Sequence, residues 1–193
     1  MTAQTKLVGA DEAARATATL TLAFASDPMV RWSWPAPDVF LASFPLFVEA
    51  LAGAAFTHGS AYQVDGMHGV ALWMAPGVTP DDAALEQLFE RTTSPAQQQK
   101  GAAVFEQMAK HKPRERHWHL PLIGVDPLAQ GQALGAALMA PALARCDADG
   151  VLAYLESSNP RNIPFYERLG FRRTGEIQFA DSPLLTPMAR SPR

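Results

Sequence analysis

The sequence has little cysteine and little excess charge of either sign. Its 193 residues include one cysteine, Cys146, and 16 basic against 19 acidic side chains. A single cysteine excludes an intrachain disulfide and a thiolate metal cluster, and it is typical of a reducing compartment. A formal net charge of −3 gives no general attraction to nucleic acid or to an anionic membrane. We therefore expect a cytoplasmic protein, monomer or homodimer, whose partner is a small molecule.

Long apolar runs, charge runs and internal repeats are also missing. Acidic Asp11 and Glu12 stand where a secretory signal would have its apolar core. The longest charge-free stretch, residues 127–144, is broken by glutamines, glycines and a proline, which does not suit a membrane span. With 48% hydrophobic residues and no flexible linker, the chain suits one packed core. We expect a single domain over residues 1–193.

Apolar periodicity changes along the chain. Helical spacing predicts helices over residues 12–26, 40–51, 81–91, 95–111, 131–147 and 163–169. Alternating or continuous apolar runs predict strands over residues 61–64, 70–74, 117–125, 152–156, 171–179 and 184–188. The strand–helix–strand order of the second half predicts one parallel βαβ step within an α/β sandwich.

Small residues follow the predicted strand that ends at Val125. After a proline turn, Gln130-Gly-Gln-Ala-Leu-Gly135 enters a helix, so successive backbone N–H groups meet the positive end of the helix dipole. Small side chains let an anion approach the backbone closely. The spacing fits neither the dinucleotide fingerprint nor the Walker loop. The segment predicts a pyrophosphate cradle, and its alternative is a small-residue helix start that packs on a sheet.

Two segments together resemble the GNAT superfamily of acyl-CoA N-acyltransferases. They read VDPLAQGQALG over residues 125–135 and ESSNPRNIPFYERLGF over residues 156–171. Within the superfamily, residues 111–171 are most similar to puromycin N-acetyltransferase-like bacterial proteins. The resemblance implies a mixed, mostly antiparallel sheet flanked by helices and splayed between two central parallel strands. It also implies acetyl-CoA as the cosubstrate, bound in the split.

The resemblance further implies which residues contact acetyl-CoA. They are Ile123, Gly124 and Val125 for pantetheine, Gln130, Gly131, Gln132, Ala133, Leu134, Gly135 and Ala136 for pyrophosphate, and Asn159 and Asn162. The superfamily usually has glycine where this chain has Ala133. The methyl group of Ala133 either weakens the cradle or is accommodated at a negative φ. Asn159 and Asn162 are equally suited to turns around Pro160.

Tyr166 and Glu156 are the predicted catalytic residues of acetyl transfer to a primary amine. The resemblance makes Tyr166 the general acid, and a phenol is protonated at neutral pH and able to donate to a departing thiolate. Glu156 ends a predicted strand beside the split and is the candidate base, acting directly or through water. The alternatives are a core tyrosine and a carboxylate that caps the next loop.

Acceptor contacts are predicted at Trp32, Trp34, His117 and His119. Core packing of the tryptophans and a satisfied histidine pair are the alternatives, and the further ligands of a metal site are not apparent. The acceptor half is aromatic, and its carboxylates apart from Asp81-Asp82 are dispersed along the chain. This favours a small apolar or aromatic amine over a lysine-rich peptide. A peptide N-acetyltransferase and a non-catalytic acyl-CoA-binding module are the alternative functions.

Overall fold

A seven-stranded sheet organises the computed structural model, which describes residues 3–193. The strands are β1 Thr5–Leu7, β2 Ala61–Val64, β3 Gly69–Met74, β4 His117–Val125, β5 Leu152–Ser157, β6 Arg172–Arg173 and β7 Thr186–Arg190. Their order is β1-β2-β3-β4-β5-β7-β6, and only β4 and β5 pair in parallel among these neighbours. The predicted mixed, mostly antiparallel sheet with a central parallel pair is confirmed.

Within residues 3–193, eight α-helices cover the two faces of this sheet. They are α1 Ala13–Phe24, α2 Pro28–Ser33, α3 Pro37–Ala52, α4 Ala54–Thr57, α5 Asp82–Thr92, α6 Pro95–His111, α7 Leu134–Asp149 and α8 Ile163–Arg168. One buried cluster joins α7 and α8 to one face, and a second joins α1, α3 and α4 to the other. No helix within residues 3–193 is long and apolar enough to cross a membrane.

Short polar side chains set where several helices begin. The Asp27 carboxylate accepts hydrogen bonds from the N–H groups of Met29 and Val30, so α2 starts at Pro28. Ser94 caps α6 in the same way, immediately before Pro95. Proline suits the first helical position because its missing N–H would have no intrahelical partner there. The sequence prediction ended a helix before Asp27-Pro28 but missed that the same dipeptide begins α2.

The structure corrects two predicted boundaries. Helix α7 begins at Leu134 and not at residue 131, because Gly131 and Ala133 have φ angles of 80° and 60° that a right-handed helix excludes. The predicted strand over residues 171–179 is reduced to β6 and one bridge between Ile177 and Leu185. Beyond that bridge the chain turns, and the Phe179 N–H donates to the Ser182 hydroxyl.

Strands β4 and β5 separate in the middle of the sheet. Strand β4 pairs with β3 from His119 to Val125, but with β5 only from His117 to His119. Its register against β3 shifts near Pro121, which has no N–H to contribute to a ladder. A bulge of this kind increases strand twist and redirects side chains. The expected split therefore lies between residues 120–125 of β4 and the end of β5.

Candidate active site

A cavity of about 520 Å³ opens beside the split. Its walls come from α1, α2, α3, α5 and α6, and within residues 3–193 no residue of α7 or α8 lines it. The Trp34 indole stacks on the Phe89 ring with 5.3 Å between centroids and 2° between planes. The Phe47 ring meets the same indole edge-on at 5.6 Å. Aromatic surface therefore forms much of the wall, as in cavities that bind small molecules.

His119 and Glu156 meet where β4 and β5 begin to separate. The His119 Nε2 atom lies 2.8 Å from the Glu156 Oε2 atom, and the side chains are 13% and 7% exposed. Both side chains line the cavity. An imidazole hydrogen-bonded to a carboxylate forms a unit that accepts and passes on a proton near neutral pH.

Tyr154 adds a buried phenol to this pair and was missed in the sequence. Its ring lies 5.6 Å from the His119 ring, and its hydroxyl is buried without a hydrogen-bond partner among residues 3–193. Burial and then the Glu156 charge raise the pKa of Tyr154. The available signal was the strand period of two, which puts Tyr154 on the same face of β5 as Glu156.

Asp27 is a second carboxylate of the cavity that sequence reasoning missed. Besides capping α2, it accepts a hydrogen bond of 2.5 Å from the Ser158 hydroxyl, which follows β5. The residue is 8% exposed. Burial raises the pKa of the Asp27 carboxyl, and its hydrogen bonds oppose that rise only in part. In the sequence, an aspartate before proline indicates a helix cap and nothing about a hydrogen bond to Ser158, 131 residues away along the chain.

Tyr166 lies on the other side of the sheet from the cavity. It belongs to the buried cluster with α7, and its ring contacts those of Phe165 and Phe171 at 5.0 and 6.0 Å. Burial, and then the charge of Asp27, raise the pKa of Tyr166. Its hydroxyl makes no hydrogen bond within residues 3–193. The phenol is therefore protonated at neutral pH and close enough to the split to be affected by Asp27.

The predicted cradle has a run of backbone donors without acceptors. Among residues 3–193, no backbone or side-chain acceptor takes the N–H groups of residues 131–135, whereas those of Ala136 and Ala137 return to the Ala133 carbonyl. A Cβ atom added at Gly131 would meet nothing within 4 Å, so the loop is open to solvent. Five consecutive N–H groups at the start of a 16-residue helix fit an anionic group such as a pyrophosphate.

The backbone of Ala133 excludes one of the two alternatives for its methyl group. Accommodation required a negative φ, but φ is 60° and ψ is 12°, in the left-handed region. This conformation lets Ala133 precede the helix as its N-cap, and it is strained for an L-residue with a Cβ atom. Gly135 is small for a packing reason, because an added Cβ would lie 3.3 Å from the Phe165 ring of α8.

The other predicted acetyl-CoA contacts lie around the split. Gly124 of β4 allows α1 to pack closely, since an added Cβ would lie 2.6 Å from the Ala23 Cβ. Ile123 and Val125 flank it at the end of β4 that does not pair with β5. The Asn159 Oδ1 atom accepts the N–H of Arg161 at 3.1 Å, which is the turn expected as an alternative. Asn162 is exposed, and its side chain makes no cap bond to α8.

The structure brings only some of the predicted acceptor contacts together. Trp32, Trp34 and His119 line the cavity, but His117 does not. His117 lies where β4 still pairs with β5, and its Nδ1 atom is hydrogen-bonded to the Glu115 carbonyl at 2.8 Å. Burial is the main cause that lowers the pKa of His117.

The expectation that the carboxylates are dispersed is also corrected. Five carboxylate side chains line the cavity described above, namely Asp27, Asp82, Glu86, Glu90 and Glu156. They are far apart in the sequence, and the fold brings them to one cavity, with α5 packed on α3 and α6 and with Asp27 hydrogen-bonded to Ser158 after β5.

A family comparison decides the classification. The model of the Acetyltransferase (GNAT) domain matches residues 80–192. The chain belongs to the GNAT acetyltransferases. This acetyltransferase is similar to an uncharacterised N-acetyltransferase of Schizosaccharomyces pombe, with 29% identity over 86% of this chain and 73% of the relative.

Solved structures share the fold of the acetyltransferase along its length. One is a Corynebacterium glutamicum protein described as histone acetyltransferase HPA2 and related acetyltransferase, with a TM-score of 0.71, 24% identity and coverage of 100% and 98% of the two chains. Another is arylalkylamine N-acetyltransferase 2 of Aedes aegypti, with a TM-score of 0.70, 13% identity and full coverage of both chains. At these identities the likeness concerns the fold.

Proposed function

We propose that this acetyltransferase transfers an acetyl group from acetyl-CoA to the primary amine of a small molecule with an apolar or aromatic body. The observation that carries the proposal is the aromatic cavity that ends at the His119–Glu156 pair, on the opposite side of the split from Tyr166. Residues 1–193 would act as one domain, since each side of the split contributes to the same reaction.

Acetyl-CoA would supply the activated thioester. The unpaired N–H groups of residues 131–135 would hold its pyrophosphate, because they offer several donors at the positive end of α7. The exposed Gln132 side chain and the folded-back Gln130, whose Nε2 atom donates to the Val125 carbonyl at 3.3 Å, leave these donors accessible. Ile123, Gly124 and Val125 would present backbone groups to pantetheine, and Asn159 and Asn162 would complete the site.

Glu156 and His119 would take the proton of the acceptor amine. Nucleophilic attack needs a neutral nitrogen, and alkyl ammonium groups have pKa values near ~10. The carboxylate and the imidazole share a hydrogen bond of 2.8 Å at the cavity floor, so a proton that reaches either group is stabilised by the other. The pair would first take one proton from the ammonium group and pass it to solvent. The neutral nitrogen would then form a bond to the acetyl carbon, and its second proton would move to the pair.

Tyr166 would protonate the departing thiolate. The carbon–sulfur bond breaks as the carbon–nitrogen bond forms, and the sulfur takes the phenolic proton. Because burial raises the pKa of Tyr166, the phenol is protonated at neutral pH and available as a donor. Solvent then returns the proton to the phenolate and removes the one held by Glu156 and His119.

Cavity size favours a small acceptor over a peptide. A volume of about 520 Å³ is within the usual range for small-molecule sites, roughly 300–1,000 Å³. Trp32 and Phe89 of the lining are half-buried and Phe105 is exposed, so their rings offer aromatic surface that suits a flat apolar body. The Aedes aegypti structural neighbour is named for arylalkylamines, which belong to the class of acceptor proposed here.

Acetylation of an aromatic primary amine, followed by release of free CoA, tests the role of Glu156. We expect Glu156→Gln to lower kcat/KM most at low pH, where nearly all of the amine is protonated and a base is most needed. The difference from wild type should narrow as the pH approaches 9–10. A uniform loss at every pH would instead assign Glu156 a structural role.

Tyr166→Phe in the same assay tests the proton donor. We expect kcat to fall roughly 100-fold or more, while the Kd of acetyl-CoA from calorimetry stays the same, because only the transition state uses the phenolic proton. The hydroxyl has no hydrogen-bond partner to leave unpaired, so the Tm should hardly change. An unchanged kcat would refute the assignment of Tyr166.

A further inference from the structure

The charge of the acceptor cavity is one-sided. Five carboxylates line it, and within residues 3–193 no lysine or arginine does so. Its one basic side chain, His119, already bonds to Glu156. A low-dielectric cavity lined by charges of one sign concentrates ligands of the opposite sign. The cavity therefore carries more negative charge than the binding of a single amine cation requires.

The carboxylates form two groups at different places in the cavity. Asp27 and Glu156 are the inner group, both held by hydrogen bonds at the ends of the central strands. Asp82, Glu86 and Glu90 are the outer group, exposed along α5 at intervals of four residues. That interval puts them on one face of the helix, about 6 Å apart along its axis. Phe89 of the same helix contributes the aromatic surface beside them.

The outer group has no compensating charge in the protein. None of its side chains takes part in an ion pair within residues 3–193, and Arg91 of the same helix bonds to Gln87 instead. Like charges four residues apart destabilise a helix. Asp82 is offset by its position at the helix N-terminus, but Glu86 and Glu90 are not. A bound cation at the cavity mouth would relieve that repulsion.

We propose that the acceptor carries two positive groups separated by an apolar or aromatic spacer. The amine to be acetylated would lie at the inner group, beside Glu156 and His119. A second ammonium or guanidinium group would lie between Glu86 and Glu90, with the spacer along Phe89. This proposal rests on the proposed function, and it adds a requirement for a second charge that simple aromatic amines do not meet.

Pairs of amines that differ only in the second charge test it. We would compare p-xylylenediamine with 4-methylbenzylamine, and 1,8-diaminooctane with octylamine. If the second cation forms exposed ion pairs with Glu86 and Glu90, the KM of each diamine should be roughly tenfold lower than that of its monoamine at low ionic strength. The preference should shrink in 1 M salt, where the Debye length is about 3 Å. Equal kcat/KM within each pair would overturn the proposal.

A charge-neutralised variant and a matched control locate the effect. Glu86→Gln with Glu90→Gln should raise the KM of the diamines more than that of the monoamines, so that the two values in each pair become equal. Glu49→Gln with Glu176→Gln removes the same charge from exposed positions that do not line the cavity, so the diamine preference should persist. Loss of the preference in the control, or its retention in the first variant, would contradict the assignment to α5.

Calorimetry with the same four amines separates failure of this proposal from failure of the proposed function. Tighter binding of the diamines without acetylation of any amine would support the charge preference and refute amine acetylation. Acetylation of all four amines with equal binding would support the proposed function and refute the second cation.

Discussion

Replacing Ala133 with glycine should make the protein more stable, although glycine usually weakens a helix. Ala133 has φ of 60° and ψ of 12° at the start of α7. The left-handed conformation costs an L-residue with a Cβ atom about 1–2 kcal/mol. Glycine does not have that cost, but it loses about 0.5–1 kcal/mol more through chain entropy on folding. The net gain therefore lies between about 0 and 1.5 kcal/mol, with a midpoint of about 0.75 kcal/mol.

The assay is reversible thermal unfolding of matched variants. For a chain of this size, 1 kcal/mol corresponds to about 2–4 °C, so Ala133→Gly should raise the Tm by about 1–4 °C. Ala144→Gly makes the same chemical change at an exposed position within α7 and should lower stability by about 1 kcal/mol. Opposite signs for the two variants are the decisive result. A decrease of similar size in both would show that residue 133 is not left-handed.

Two further changes test the charges around α7. Gln132→Glu places a negative charge beside the unpaired N–H groups and should raise the Kd of acetyl-CoA roughly fivefold at low salt. Gln132→Lys should not raise this Kd. Calorimetry measures the Kd of both variants, and equal effects would exclude a charge mechanism. The Arg190 guanidinium holds the pKa of Asp147 at about 2, below its ordinary value of 3.8, so this pair stabilises the fold above pH 4 and is lost as the pH falls toward 2. Asp147→Asn should therefore lower the Tm clearly at pH 7 and less near pH 3; a pH-independent difference would contradict the ion-pair explanation.

Local patterns were sufficient where one stretch of chain determines its own structure. Strand β4 lies at its predicted residues 117–125, because its alternating burial follows directly from its alternating side chains. The hairpin of β2 and β3 and helix α6 also follow the predicted spacing closely. The turn at Asp65-Gly66 has positive φ at both residues, as that dipeptide favours.

Long-range packing limited the prediction of the site. The sequence identified Glu156 at a strand end but not its partner in the His119–Glu156 bond, which depends on the parallel register of β4 and β5. Asp27 is far from Glu86 and Glu90 in the sequence. Only the folded chain brings these three carboxylates to the same cavity. The conformation of Ala133 was equally hidden, since residue identity alone favours a negative φ for alanine.

The separation of the two central strands divides the protein into parts that can change independently. Most of the acceptor cavity comes from residues 24–108, while the unpaired N–H groups belong to residues 131–135. The family match starts at residue 80 and includes the second part but leaves out α1, α2 and α3. Substitutions far apart and without shared contacts have nearly additive effects. A substitution in α2 or α3 can therefore alter the proposed acceptor cavity and leave the strand–loop–helix unit around α7 unchanged.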